Sequence, residues 1–238
     1  MKEKVFVFDV DGTLTPSRGI IDPEFREFFY GFAMRHDVYL VSGSDKPKTV
    51  EQIGLPVYDA CVGVFQCNGC EHWVQNRRIS STNFTPSYEF KHFLKNIINK
   101  SRYNLKVGNH VEFRTGMANL STIGRNASPE QRLAYYEWDK VNGERKVICK
   151  QIEKQFKTLC ATVGGQISVD IYPKGSDKSQ ILREIGPKYK KIHFFGDRTS
   201  YGGNDWPLAE QIRISNLGEV HTVENWQQTM EIMEKLDG

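Results

Sequence analysis

Val5-Phe6-Val7-Phe8-Asp9-Val10-Asp11-Gly12-Thr13-Leu14-Thr15, close to the amino end, is the stretch that decides the fold. Its four leading apolar residues, two of them β-branched, predict a strand buried on both faces, as in a parallel sheet. Asp9 and Asp11 arrive where that strand should end, and Gly12-Thr13 suits a tight turn. Ligands of open α/β sheets sit beyond the carboxyl ends of the strands, so the two carboxylates are placed at the mouth of a site.

That pairing suits phosphoryl transfer. One carboxylate oxygen can attack phosphorus and form an aspartyl-phosphate. The other can exchange a proton with the substrate oxygen as general acid and base. Both would attract Mg²⁺, which takes carboxylates, waters and phosphate oxygens as ligands. A strand ending in a polar turn is the competing account, and the flanking apolar run with Gly-Thr-Leu-Thr argues against it.

Working outward, Asp22-Pro23 supplies an N-cap and a first-turn proline for a helix carrying Phe25, Phe28, Phe29 and Phe32. Val38 to Val41 is the next strand and ends at Ser42-Gly43-Ser44-Asp45, where a hydroxyl and backbone amides can hold a phosphoryl oxygen; Ser44 also suits an N-cap. A short strand is expected from Ala60 to Phe65, then a turn at Asn68-Gly69. From about Ser80 the pattern changes. Thr85-Pro86 is expected to cap a helix, strands are expected at 111–114 and 117–123, and Ser128-Pro129-Glu130-Gln131 is a capping box. A further helix runs from Glu144 through Leu159, and an alternating strand from Gln166 to Tyr172 follows. Helices and antiparallel-looking strands without βαβ order predict a separate module inserted into the first domain. The first pattern resumes at Lys178, with a strand at 191–195 ending in Gly196-Asp197, another strand expected at 211–215, and a last helix bearing Trp226, Met230, Met233 and Leu236.

The resulting fold class is α/β: a doubly wound, Rossmann-like parallel-sheet core (1–79 and 176–238) with an inserted α+β cap domain (80–175). If the sheet is parallel, Asp9, Asp11, Ser42, Ser44, Lys178 and Asp197 reach one edge of it. Fixed cations must then meet the charge on transferring phosphoryl oxygens.

A net charge of +3 gives no case for a nucleic-acid partner and suits anionic substrates. The five cysteines are odd in number and scattered, with one lone Cys67-x-x-Cys70, which fits reduced thiols. No apolar stretch approaches the roughly 20 residues of a membrane span. A cytoplasmic protein without membrane or nucleic-acid contacts is expected.

Phe8 to Thr15 resembles the first motif of the haloacid dehalogenase superfamily, and the whole chain resembles its eukaryotic-type phosphomannomutases. Phe113-Arg114-Thr115-Gly116-Met117-Ala118-Asn119-Leu120-Ser121-Thr122-Ile123-Gly124-Arg125 is similar to that family's cap motif, Arg132 follows at the family spacing, and so does Gly164 to Asp170. The resemblance implies a Mg²⁺-dependent mutase that interconverts mannose 6-phosphate and mannose 1-phosphate, with glucose phosphates as second substrates and a hexose 1,6-bisphosphate as activator. A Mg²⁺-dependent sugar-phosphate phosphatase is the alternative.

By resemblance, Asp9 is the nucleophile and Asp11 the proton shuttle, while Lys178 neutralises charge beside Ser42 or Ser44. Asp9, the Asp11 carbonyl and Asp197 hold the metal, with Asn204 and Asp205 in the same set. Arg114, Arg125 and Arg132 suit a second phosphate, since guanidinium grips phosphate in bidentate fashion. Arg18 matches the active-site arginine of the core, and Ser168 and Asp170 alternate to one face for sugar hydroxyls. Pairing through the cap as a homodimer is also implied. Ser42, Thr115, Thr122 and Gln66-Cys67 depart from the family pattern. So does Gln211-Ile212-Arg213-Ile214, where relatives carry a segment that binds a second cation.

Overall fold

The structure, a computed structural model, describes residues 1–237. In chain order the elements are β1 (Lys2–Phe8), α1 (Pro23–Arg35), β2 (Val38–Val41), α2 (Lys46–Ile53), α3 (Leu55–Ala60), β3 (Gly63–Gln66), β4 (Glu71–Val74) and β5 (Arg77–Ser81). There follow α4 (Tyr88–Lys100), β6 (Val111–Arg114), β7 (Met117–Leu120), α5 (Pro129–Asn142), α6 (Glu144–Gln155), β8 (Leu159–Val163) and β9 (Val169–Pro173). The chain closes with α7 (Leu182–Ile185), β10 (Tyr189–Gly196), α8 (Trp206–Ile214), β11 (Gly218–Thr222) and α9 (Trp226–Asp237). Residues 1–82 and the chain from Gly175 onward make one compact unit, and Asn83–Lys174 make another.

The first unit is a seven-stranded sheet in the order β11-β10-β1-β2-β3-β4-β5. Its five strands from β11 to β3 are parallel, while β4 and β5 extend the edge antiparallel. Alternation along β1 explains why every residue from Val5 to Phe8 is buried. Phe6 and Phe8 pack under α1, where Phe32 meets Phe6 at 4.8 Å and Phe29 meets Phe8 at 5.1 Å, both edge-on. Val5 and Val7 face the other way, against Ile185, Phe194, Leu208 and Ile212. Asp22 starts α1 by accepting from the amides of Glu24 and Phe25 at 2.9 and 3.2 Å. Helices cover both faces, as the doubly wound reading requires.

The second unit is a four-stranded antiparallel sheet, β6-β7-β9-β8, with α4 and α6 packed on its apolar side through Phe90, Leu94, Ile148 and Ile152. Ser128 caps α5 in a full capping box with Gln131.

Four local expectations are corrected. Residues 211–215 form no strand but lie at the end of α8. Leu208 and Ile212 sit at helical spacing in the core, whereas Ile214, which simulated an alternating partner, is 67% exposed. Ser87, not Thr85, caps α4, accepting from the Phe90 amide at 3.1 Å. Helix α6 stops at Gln155 and Leu159 opens β8, a strand the pattern did not suggest. Ala60 closes α3, so β3 begins only at Gly63.

Phe32 has no exposed surface and touches both aromatic residues of β1. Phe32→Ala is expected to destabilise the protein by about 3–5 kcal/mol, checked by urea unfolding; a loss under about 1 kcal/mol would contradict this packing.

Candidate active site

Strands β1 and β10 are parallel neighbours whose onward connections run in opposite directions along the sheet, to β2 on one side and β11 on the other. Such a divergence opens a crevice at the carboxyl ends. Asp9 follows β1 and is pinned there by its amide, which donates to the Phe195 carbonyl at 2.9 Å. Asp197 follows β10. Asp205 occupies the N-cap position of α8, but its side chain does not cap the helix. It turns inward instead, accepting from Lys178 Nζ at 2.6 Å and from the Arg198 amide at 3.0 Å.

Lys178 is the pivot. Its Nζ donates to Asp9 Oδ1 and Asp205 Oδ1, each at 2.6 Å, and the residue is 0% exposed. It stands at the start of a 3₁₀ turn, Lys178–Ile181, whose first amides are held by Asp177. One carboxylate oxygen from each of Asp9, Asp197 and Asp205 lies within 4.8 Å of the others. Two glycines make room for them. A Cβ on Gly12, which has φ +83°, would meet Asp197 Oδ2 at 2.6 Å, and one on Gly196 would meet Asp205 Oδ2 at 2.7 Å.

The electrostatics follow from the crowding. Burial raises the Asp9 carboxyl well above the usual carboxylate range, Asp205 adds to that, and Lys178 opposes it. Burial and Asp205 push Asp197 up to about 6, opposed by Arg198, 3.6 Å away, and by Lys178. Burial disfavours the charge on Lys178, yet Asp205 and Asp9 outweigh it and raise its pKa, so the amine stays protonated. Hard oxygen donors around a site with surplus negative charge suit a divalent cation such as Mg²⁺. Asn204 adds a buried Oδ1 without a hydrogen-bond partner beside Asp205 in sequence.

Asp11 stands apart from the three carboxylates in its bonding. Its Oδ1 accepts from the Arg18 amide at 2.5 Å and from Gln52 Nε2 at 3.0 Å. Arg18 therefore meets Asp11 through its backbone, which adopts φ +60°, uncommon for a non-glycine residue. At the end of β2, Ser42 is buried and its Oγ accepts from the Ser44 amide at 3.0 Å.

In the second unit, one row of polar side chains crosses the sheet. Pairing sets Glu112 opposite Asn119, Asn119 opposite Asp170 and Asp170 opposite Thr162. Glu112 accepts from Arg114 through Nε and Nη2, at 3.0 and 2.9 Å, and its Oε2 lies 2.7 Å from Arg125 Nε. Arg125 also donates to Asn119, which donates in turn to Asp170. Arg132 donates to the carbonyls of Ala127 and Arg125. Ser168 and Asp170 share a side, because a Cβ on Gly164 would meet both, at 2.7 and 2.8 Å. Glu112 and Asn119 are absent from the site expected from the sequence. The signal was present: the Thr115-Gly116 turn fixes the register that puts 112 against 119, and 112 and 114 share a face.

A sequence profile of the eukaryotic phosphomannomutases matches residues 25–237. A probable phosphomannomutase of Caenorhabditis elegans is 36% identical, over 98% of this chain and 94% of that protein. The phosphomannomutase of Dendrobium officinale is 38% identical over 95% and 91%. That of Saccharomyces cerevisiae is 34% identical over 98% and 94%. Among solved structures, the C-terminal domain of the C. albicans trehalose-6-phosphate phosphatase aligns with a TM-score of 0.66 at 14% identity, covering 99% of this chain and 92% of that one. A haloacid dehalogenase-like hydrolase from Bacteroides thetaiotaomicron gives 0.62 at 15%, covering 99% and 100%. At that identity the two structures speak for the fold alone.

Asp197 titrates near 6 in the folded chain against an ordinary 3.8, so folding favours its protonated form. Without a cation, its contribution to stability is fully present below the ordinary value and lost as pH rises through about 6. Thermal melts of EDTA-treated protein should accordingly lose stability between about pH 4 and about pH 7, with Mg²⁺ restoring it mainly at the higher pH. Melts at the higher pH that do not respond to Mg²⁺ would sink the carboxylate triad as a cation site.

Proposed function

This chain belongs to the eukaryotic phosphomannomutase family of the haloacid dehalogenase superfamily, and from that membership we propose how its residues interconvert mannose 6-phosphate and mannose 1-phosphate. The observation that carries the assignment is the buried Asp9 carboxylate, bonded to Lys178 and crowded by Asp197 and Asp205. An Asp9 oxygen attacks one phosphorus of a hexose 1,6-bisphosphate, and the bond from phosphorus to the sugar oxygen breaks. Asp9 then carries the phosphoryl group, and the sugar leaves as a monophosphate. Asp11 gives the departing oxygen its proton. A monophosphate presented the other way round returns its hydroxyl proton to Asp11 as that oxygen takes the group from Asp9, which regenerates the bisphosphate.

Throughout, Lys178 holds positive charge beside the attacking oxygen, and Ser42 or Ser44 donates to a phosphoryl oxygen. Mg²⁺ held by Asp9, the Asp11 carbonyl and Asp197, with Asn204 and Asp205 in support, would supply further charge neutralisation. Arg114, Arg125 and Arg132 grip the phosphate that is not reacting, Arg18 assists from the core unit, and Ser168 and Asp170 bond sugar hydroxyls. This makes the inserted segment the specificity domain. Glucose phosphates fit the same donors as second substrates. The expected setting is cytoplasmic, and the expected assembly is a homodimer through the inserted unit, which light scattering tests directly.

Asp9→Asn should lower mutase turnover to below about one thousandth while leaving circular dichroism unchanged, since the swap removes a charge from a crowded cluster. The assay follows mannose 6-phosphate formed from mannose 1-phosphate and a bisphosphate activator, with phosphate release in parallel. Turnover retained in the variant would refute the nucleophile. Phosphate released without mannose 6-phosphate would favour the phosphatase chemistry instead.

A further inference from the structure

His193, Glu219 and His221 form a second cluster of donor atoms, which the reaction above does not use. His193 lies on β10 and the other two on the edge strand β11, where the register sets His193 directly opposite Glu219. Glu219 and His221 are two residues apart, so both turn to the same face as His193. His193 Nδ1 lies 3.1 Å from His221 Nε2 and 3.6 Å from Glu219 Oε2, and that oxygen is 4.0 Å from His221 Nε2. Ligands held about 2.0–2.1 Å from a tetrahedral Zn²⁺ are roughly 3.3–3.4 Å apart. The three atoms thus already lie near the separations that one such ion imposes.

The surroundings hold that arrangement. His193 is 3% exposed and stacks on Phe6 with ring centres 5.1 Å apart; His221 stacks on Phe195 at 4.4 Å. Lys191 donates to Glu219 Oε1 at 2.6 Å, which leaves Oε2 directed at the imidazoles. A partner of this kind on a ligand's second oxygen orients the first. Burial pushes His193 down to about 4 and lowers His221 as well, despite Glu219, with Lys191 assisting at both and Lys4 at His193.

We propose that His193, Glu219 and His221 bind a borderline-soft divalent cation, Zn²⁺ or a close d-block relative, at a site distinct from the carboxylate cluster. Asp197 lies four positions beyond His193, just past the end of β10, roughly 13 Å along an extended strand. The donors differ too: two imidazole nitrogens and one carboxylate select Zn²⁺ or Co²⁺ over Mg²⁺, whereas the three aspartates do the reverse. A cation there clamps the edge strand to its neighbour and keeps one coordination position open to solvent.

The test uses the full chain with saturating Mg²⁺, so that the aspartates are occupied, and titrates Co²⁺ while recording visible absorption. The expected result is a saturable set of intense bands from low-coordinate, nitrogen-ligated Co²⁺ that Zn²⁺ abolishes. His221→Ala and Glu219→Gln should each weaken the binding at least about tenfold, with metal-free melts confirming that the variants fold. Glu219 is half-exposed, so its variant serves if His221→Ala does not fold. Only the faint bands of six-coordinate, oxygen-ligated Co²⁺, or bands undiminished in a folded variant, would overturn the proposal and leave a hydrogen-bonded histidine pair only.

Discussion

The constraint on which the molecule depends is the position of the Lys178 ammonium between Asp9 and Asp205, with Lys178 and Asp205 fully buried and Asp9 nearly so. A buried ion pair is weak support for stability, because desolvating the charges offsets much of their attraction. Its strength lies in geometry. Asp9 ends the first strand, Asp205 opens a late helix, and Lys178 begins the turn just after the chain returns from the inserted unit. The bonds at 2.6 Å therefore tie together three segments far apart in sequence. One ammonium cannot balance three carboxylates, and Arg198 reaches Asp197 only at 3.6 Å from the exposed side. The imbalance raises the Asp9 and Asp197 pKa values, and a divalent cation would relieve it.

Much of this was legible because a strand buried on both faces leaves few alternatives. Val5 to Phe8 could be satisfied only inside a sheet covered on two sides, which fixes a parallel architecture and puts whatever follows at its carboxyl edge. Asp9 and Asp197 were placed by that logic alone. The helix bearing Phe25, Phe29 and Phe32 was equally transparent, since its cap and its apolar stripe agree.

The losses came where local pattern and tertiary context disagree. Arg213 and Ile214 beside Ile212 imitate an alternating strand, but the core accepts only the residues at helical spacing, and Ile214 is left outside. Strand β5 carries five exposed residues and so has no apolar signature; it exists because β4 offers an edge to pair with. Leu159 fits the stripe of α6, yet the helix has already ended four residues earlier. Asp205 was legible as a ligand candidate but not as a partner of Lys178, because that contact depends on how α8 is set against the sheet.

The row Glu112–Asn119–Asp170 in the second unit shows the same economy in another sheet. Long guanidinium side chains lose about 2 kcal/mol of rotamer freedom when they are fixed. If Arg114 and Arg125 had to become ordered only when an anion arrived, that loss would fall on the binding step. Glu112 bonds both of them, Asn119 holds Arg125 from the next strand, and backbone carbonyls hold Arg132. The ordering is thus met by folding. Glu112, bonded to Arg114 and Arg125, is thus the group that keeps those two guanidinium planes in a fixed posture.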